Sequence, residues 1–360
     1  MADAPQAAAL TPAGAVRRDL PALTGLRFFL ALWVILHHLT GPGQDLEALA
    51  RQLPEGLFSL IRGGFQAVTT FFVLSGFVLT RTYAATLWNR RSVVNYWIGR
   101  VARIYPVYLL SIAVMIPFIV EDHTPGKFGY VAQYFALLQG WLGPLPVGWN
   151  TPAWSLSCEM FFYALFPLSA LLIRRATWRN VLLVAAASIV LTRLMWAAGV
   201  DDNVKPLVHL ADFLMGIAAA CAFDLLSRDG RAPSGWKLYL PGLGGAALLL
   251  AYPGALPKFL DVNSVLRPLN ALALIGLAIG GGAVARFLST RLLVYLGKSS
   301  YAMYILHVPV LWWYLRESRT FSAPVYIGIV MAVSALVYGL YEEPSNRWLR
   351  GRLRRGPAKA

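Results

Sequence analysis

Long apolar runs recur along this chain of 360 residues, and their length constrains the fold more than any other feature. An α-helix needs roughly 20 apolar residues to cross the ~30 Å hydrocarbon layer of a bilayer. Inside that layer a backbone must satisfy its own hydrogen bonds. Ten such stretches can be drawn, at about 22–40, 64–80, 104–120, 152–173, 180–199, 206–226, 238–256, 268–285, 292–315 and 323–341. The expected fold is all-α, a polytopic transmembrane helical bundle. Residues 1–20, small, polar and rich in Ala and Pro, have no short apolar core of a cleavable signal and are expected to be a disordered cytoplasmic leader. Residues 21–345 are then the membrane domain and 346–360 a basic cytoplasmic tail. The run from Tyr130 to Leu142 is too short and polar to span and is expected to re-enter or lie on the surface.

Charge gives the orientation. The formal net charge is +15, from 32 Lys and Arg against 17 Asp and Glu. In a soluble protein this excess would point to nucleic acid; here topology accounts for it, and no nucleic-acid partner is expected. With the N-terminus inside, twenty-one of the 32 cations fall in cytoplasmic segments and eight in external ones, with Arg27, Arg193 and Lys298 within or beside spans. That bias makes both termini cytoplasmic. Counting the Tyr130–Leu142 run as a span would invert every later loop and destroy it. Cys158 and Cys221 both sit in apolar runs and support neither a disulfide framework nor a metal site. No GxSxG elbow, P-loop, HExxH or Gly-rich dinucleotide loop occurs, which removes the usual support for hydrolase-triad, ATPase, zinc-protease and Rossmann readings.

Ionisable groups inside lipid are expensive and mark functional sites by default. The embedded set is Arg27, His38, Glu159, Arg193, Asp212, Lys298, His307 and Glu342. Arg193, Asp212 and Lys298 are expected to be salt-bridged scaffold. In LTGLRFFLALWVILHHL, residues 23–39, the eleven steps from Arg27 to His38 amount to about three turns, so both lie on one helix face roughly 16 Å apart. His37 falls about 80° off that face. Taken alone, Arg27 would serve equally as a snorkelling anchor and the histidines as an interfacial cap. Arg100 and Arg103, three residues apart and followed by Tyr105, would either anchor the cytoplasmic end of a helix or clamp phosphates, because guanidinium forks match phosphate oxygens. Glu159 lies in an aromatic-rich helix that opens with Trp154 and Ser155, where a carboxylate could orient a histidine, act as a base, or neutralise a buried arginine.

Seven segments in chain order resemble the membrane-bound acyltransferase-3 family: LTGLRFFLALWVILHH, TTFFVLSGFVL, RVARIYP, WSLSCEMFFYALFP, HLADFLMGI, LGKSSYAMYILHVPV and YEEP. They run from residue 23 to about 347. The family's arginine, ten intervening residues and histidine fall on Arg27 and His38, and its paired arginines on Arg100 and Arg103. The resemblance implies importance also for Glu159, Ser75, Gly76 and His307, with Glu342 in the YEEP segment. Cys158 stands where valine is usual, and His209 where an arginine often precedes the acid at Asp212, which leaves the partner of Asp212 open. No SGNH-type domain follows the bundle in these 360 residues, so a relay to a fused external catalyst is not expected within this chain.

What the resemblance implies is an integral O-acyltransferase of the cytoplasmic (inner) membrane. It would move an acetyl or other short acyl group from acyl-CoA, a co-substrate rather than a bound cofactor, to a hydroxyl of a carbohydrate or lipid-linked glycan. Membrane lipid is its surroundings, and no metal is expected. The donor would dock its phosphates on Arg100 and Arg103, and His38 would act as general base or carry the acyl group. Arg27 would contact the donor or hold a carboxylate such as Glu159. Alternatives are a transporter or flippase without chemistry, and acylation of a small secreted metabolite. The absence of an evident internal repeat weighs against the transporter.

The orientation has a direct check. Arg90 and Arg179 are expected to face the cytoplasm, and Asp45 and Asp202 the outside. Single cysteines at positions 45 and 202 should react with an impermeant maleimide on intact cells; strong labelling at position 90 would overturn the ten-span drawing.

Overall fold

The computed structural model describes residues 20–40, 46–84, 86–143, 149–169, 173, 176–199, 204–228, 232–257, 261–318 and 320–353. The leader up to Asp19, Asp45, Asp202 and the tail beyond Leu353 lie outside the described residues. Every regular element among the described residues is helical. Seven helical stretches are long and apolar enough to cross a membrane, and Trp236–Ala251 is a shorter apolar helix. The all-α, multi-pass expectation therefore holds.

The principal helices, in chain order, are α1 (Pro21–Leu39), α2 (Glu55–Arg62), α3 (Gln66–Tyr83) and α4 (Arg90–Glu121). Then come α5 (Lys127–Ala136), α6 (Trp154–Leu165), α7 (Trp178–Ala197), α8 (Leu210–Arg228), α9 (Trp236–Ala251) and α10 (Val262–Ile279). The chain closes with α11 (Gly282–Leu288), α12 (Arg291–Lys298), α13 (Ser300–Glu317), α14 (Ala323–Val337) and α15 (Glu343–Leu353). α4 has 32 residues, about 48 Å at 1.5 Å each, so it overshoots the hydrocarbon by more than two turns. Its start is fixed by a capping box: Asn89 Oδ1 accepts from Ser92 N (2.9 Å), and Asn89 N donates to Ser92 Oγ (2.8 Å).

Three of the drawn spans are redrawn. The stretch at 152–173 is a 12-residue helix continued by a 3₁₀ turn at Phe166–Ser169. The stretch at 292–315 breaks at Ser299, where the polar GKSS segment separates α12 from α13. α10 stops at Ile279, because the next three glycines take φ of 85°, 86° and 79°, a left-handed run that no helix continues through. The Tyr130–Leu142 run takes in the last seven residues of the ten-residue α5, a helix about 15 Å long and too short to span. α5 ends at Leu137 in the left-handed region, φ 55°. Its carbonyl at Tyr134 accepts from Tyr108 Oη (2.5 Å), and Gln139 Nε2 donates to Ala153 O (2.8 Å). Just before it, Asp122 Oδ1 accepts from Thr124 Oγ1 (2.7 Å) and N (2.9 Å), and Oδ2 accepts from Trp149 Nε1 (2.6 Å). The Thr124 bonds, then that from Trp149, hold this carboxyl below its ordinary range.

Several of the embedded charges pair, but Lys298, expected in a salt bridge, makes no ion pair among the described residues and instead ends the short α12. Asp212, fully buried, is bonded by Arg267 Nε, and its other oxygen meets His209 Nδ1 at 2.7 Å. Arg267, one of the eight cations that the sequence assigns to external segments, is instead 1% exposed inside α10, and it also donates to Thr192 Oγ1 (2.5 Å). That answers the question left at Asp212: with His209 in place of an arginine, the counter-charge comes from 55 residues further along the chain. Arg193 lies 3.8 Å from Asp261. Arg81 pairs with Asp224, which ties the ends of α3 and α8.

α3 and α8 meet backbone to backbone. A Cβ on Gly76 would lie 2.2 Å from Phe213 O, and one on Gly216 would lie 2.0 Å from Val73 O. Small residues at such crossings let transmembrane helices approach closely. Gly216→Ala should therefore destabilise the bundle by about 1–3 kcal/mol through overpacking. Gly328→Ala, whose Cβ would meet nothing within 4 Å, should leave the melting temperature in detergent nearly unchanged.

Candidate functional site

Five helices converge on one charged cavity. About 260 Å³ in volume, it is lined by Arg27 from α1, Phe71, Leu74, Ser75, Val78 and Leu79 from α3, and Arg100, Arg103 and Ile104 from α4. Glu159 and Tyr163 of α6 and Tyr301 of α13 complete it. A narrower space of about 50 Å³ shares Arg27, Phe71, Glu159 and Tyr301 with it and extends to Ser155, Ser300 and Tyr304. Together they form a passage at the lower end of the ~300–1,000 Å³ of small-molecule sites.

The two α4 arginines, equivalent in the sequence, are not equivalent here. Arg103 is bonded to Glu342, which is 1% exposed, and its guanidinium lies 5.2 Å from the Tyr301 ring. Glu342 reaches it from a π-helical turn, Tyr338–Glu342, that interrupts the α14–α15 rod. The extra residue in that turn aims Glu342 inward, while Glu343 pairs with Arg347 at the surface. Arg100 makes no ion pair among the described residues. It sits among aromatic faces, 5.7 Å from Tyr83, 5.9 Å from Tyr96 and 5.4 Å from Tyr163, and its buried Nε has no hydrogen-bond partner. Cation–π contacts stabilise such a cation without cancelling its charge. Arg27 likewise makes no ion pair among the described residues. Glu159 Oε2 accepts from Tyr163 Oη (3.1 Å) rather than meeting Arg27 directly. With Glu342 committed to Arg103, the cavity holds Arg27 and Arg100 against Glu159, a net positive lining suited to an anion.

His38 lines neither space. It joins the passage through α13: His38 Nδ1 is 3.2 Å from His307 Nε2, and Tyr304, one turn before His307, lines the narrower space. His38 Nδ1 is also 3.0 Å from Val34 O, and His307 Nδ1 is 2.6 Å from Tyr304 O. A carbonyl only accepts, so in the neutral rings both protons sit on Nδ1. His38 Nε2 is then left with its lone pair, the state a general base requires. His37 turns away and puts Nδ1 2.6 Å from Arg62 O.

Of the remaining sequence candidates, Ser75 and Ser155 line the passage. Gly76 does not; it faces α8 as described. Tyr105 lines neither space and packs on Tyr108, ring centroids 6.3 Å apart, because one step past Ile104 its side chain leaves the cavity face. Trp154 stacks on His209 (5.3 Å) and under Lys205 (4.8 Å), holding α6 against the start of α8. Tyr83, Tyr96, Tyr163, Tyr301 and Tyr304 belong to the site but not to the sequence candidates. A signal was present for two of them: Tyr163 follows Glu159 by four residues and Tyr304 precedes His307 by three, the spacings of a shared helix face.

The chain matches the family model described as an acyltransferase domain over residues 20–341. It is 32% identical to acyltransferase MdmB of Streptomyces mycarofaciens, over 92% of each chain. It is 25% identical to O-acetyltransferase OatA of Staphylococcus aureus (strain NCTC 8325 / PS 47), over 95% of this chain and 58% of that protein. It is 23% identical to peptidoglycan O-acetyltransferase OatA of Listeria monocytogenes, over 82% of this chain and 50% of that one. The chain thus spans little more than half the length of the OatA proteins. No solved structure matches.

Removing Arg103 should strand Glu342 as an unpaired buried carboxylate. The expected cost of Arg103→Ala is at the lower end of about 3–5 kcal/mol, because Arg103 is 25% exposed. Arg103→Met combined with Glu342→Leu should recover most of the lost melting temperature. An Arg103→Ala protein as stable as wild type would show that the pair contributes nothing.

Proposed function

The chain belongs to the acyltransferase-3 family of multi-pass membrane acyltransferases, and from that premise we propose that it is an O-acyltransferase of the cytoplasmic membrane that uses acyl-CoA. The observation that carries the donor assignment is Arg100, a cation without a carboxylate partner among the described residues, opening onto a net positive cavity. Charge-assisted bonds from a guanidinium fork match a phosphate of the donor. The narrow, largely apolar continuation past Glu159 and Tyr304 suits the slender arm of the thioester better than the nucleotide. Arg103 supports the site indirectly, since Glu342 already occupies part of its hydrogen-bonding capacity.

In the proposed reaction the acceptor hydroxyl gives its proton to His38 Nε2 as its oxygen attacks the thioester carbonyl. The C–O bond forms, the C–S bond breaks, and the thiolate leaves with the proton returned from the imidazolium. His307 keeps His38 in the productive tautomer by accepting from Nδ1. The acceptor approaches from the external end, where His38 ends α1. A glycan hydroxyl as acceptor is supported by relatives whose names specify O-acetyl transfer, in one case to peptidoglycan.

Purified protein given radiolabelled acetyl-CoA and a panel of glycans should form acetylated product. Vesicle counterflow without product would overturn the enzyme reading in favour of transport. Arg100→Ala should raise the donor KM about 10- to 150-fold, equivalent to losing about 1.5–3 kcal/mol, with Lys restoring only part. Unchanged KM would return Arg100 to a topological role. His38→Ala should lose about 10² to 10⁴ in rate, whereas His37→Ala, which loses a hydrogen bond to Arg62 O and ring contacts with His38 and Phe65, should keep most activity. The reverse pattern would reassign the base.

A further inference from the structure

On the face of α1 away from Arg27 lies a second cavity, about 390 Å³, that shares no lining residue with the charged passage. Leu30 and Trp33 of α1 form one wall, and Leu250 of α9 and Leu274 of α10 another. It separates a small apolar cluster of Leu249, Leu250 and Leu266 from the main core. Apart from Gln66, Thr70 and Asn270 its lining is apolar, and such a space takes up apolar molecules. Two observations identify what enters. The exposed residues at its edge, Phe29 and Ala247, are apolar and belong to apolar helices, so the opening faces lipid rather than water. Asn270, 5% exposed, lines the cavity, and its buried amide Nδ2 has no hydrogen-bond partner among the described residues. A hydrocarbon alone would leave that donor unsatisfied at a cost.

We propose that this cavity binds a membrane phospholipid, one acyl chain filling the space between α1, α9 and α10 and an ester carbonyl accepting from Asn270 Nδ2. Asn270 is three residues, about 4.5 Å along the axis, past Arg267, which pairs with Asp212 in the first turn of α8. That sets it near one edge of the hydrocarbon, where phospholipids carry their esters. The lipid completes a wall that the chain itself leaves open and holds the α9–α10 pair against α1. It takes no part in acyl transfer, because α1 and α3 stand between it and Arg27.

The test is lipid binding to the full chain in detergent after delipidation, read by native mass spectrometry with palmitoyl-oleoyl phosphatidylglycerol. Wild type should retain one tightly held lipid and gain melting temperature from it. Ala246→Phe fills the cavity and Ala247→Phe blocks its mouth; each should remove that lipid and the gain. Asn270→Leu should weaken binding about three- to tenfold, the worth of one hydrogen bond. An ether-linked analogue without ester carbonyls should bind wild type weaker by the same factor and Asn270→Leu no weaker still. Equal retention by wild type and both phenylalanine variants would overturn the site, and equal affinity for ester and ether lipids would overturn the role of Asn270. Neither readout depends on acyl transfer.

Discussion

Hydrocarbon neither gives nor accepts a hydrogen bond, and the structure depends on that one constraint. It makes every regular element among the described residues a helix, and it requires each embedded charge to find its partner within the protein. Asp212 meets Arg267 and His209; Arg103 meets Glu342; Arg81 meets Asp224. Against this background the exceptions carry the information. Among the described residues Arg27 and Arg100 line a cavity without an ion pair, and Arg100 has tyrosine faces where a carboxylate would otherwise stand. Three ring faces soften the desolvation of the cation but leave its charge available to a ligand.

α1 is the partition on which both cavities depend. Its Arg27 face closes on α3, α4, α6 and α13 to make the charged passage, while its Leu30 and Trp33 face closes on α9 and α10 around apolar space. At its end the two adjacent histidines are committed to different neighbours, His37 to the α2 carbonyl at Arg62 and His38 to His307 of α13. A single helix thus separates a polar, positively charged compartment from a lipid-facing one, and the 100° between successive residues does the sorting.

The fold class is legible in the residues alone, because apolar run length and the hydrogen-bonding demand of lipid leave one solution. Also legible there are the shared face of Arg27 and His38 and the divergence of His37, which follow from helix geometry alone. Spacing could not separate Arg100 from Arg103, since what distinguishes them is Glu342, 239 residues away and turned inward by a π-helical turn. Nor could it give Asp212 its partner or show that Tyr105 leaves the cavity, because both depend on which helices become neighbours. Those points are set by how the helices pack. A helix fixes the direction of its own side chains, whereas the partner of a buried charge is fixed by packing between segments distant in the chain.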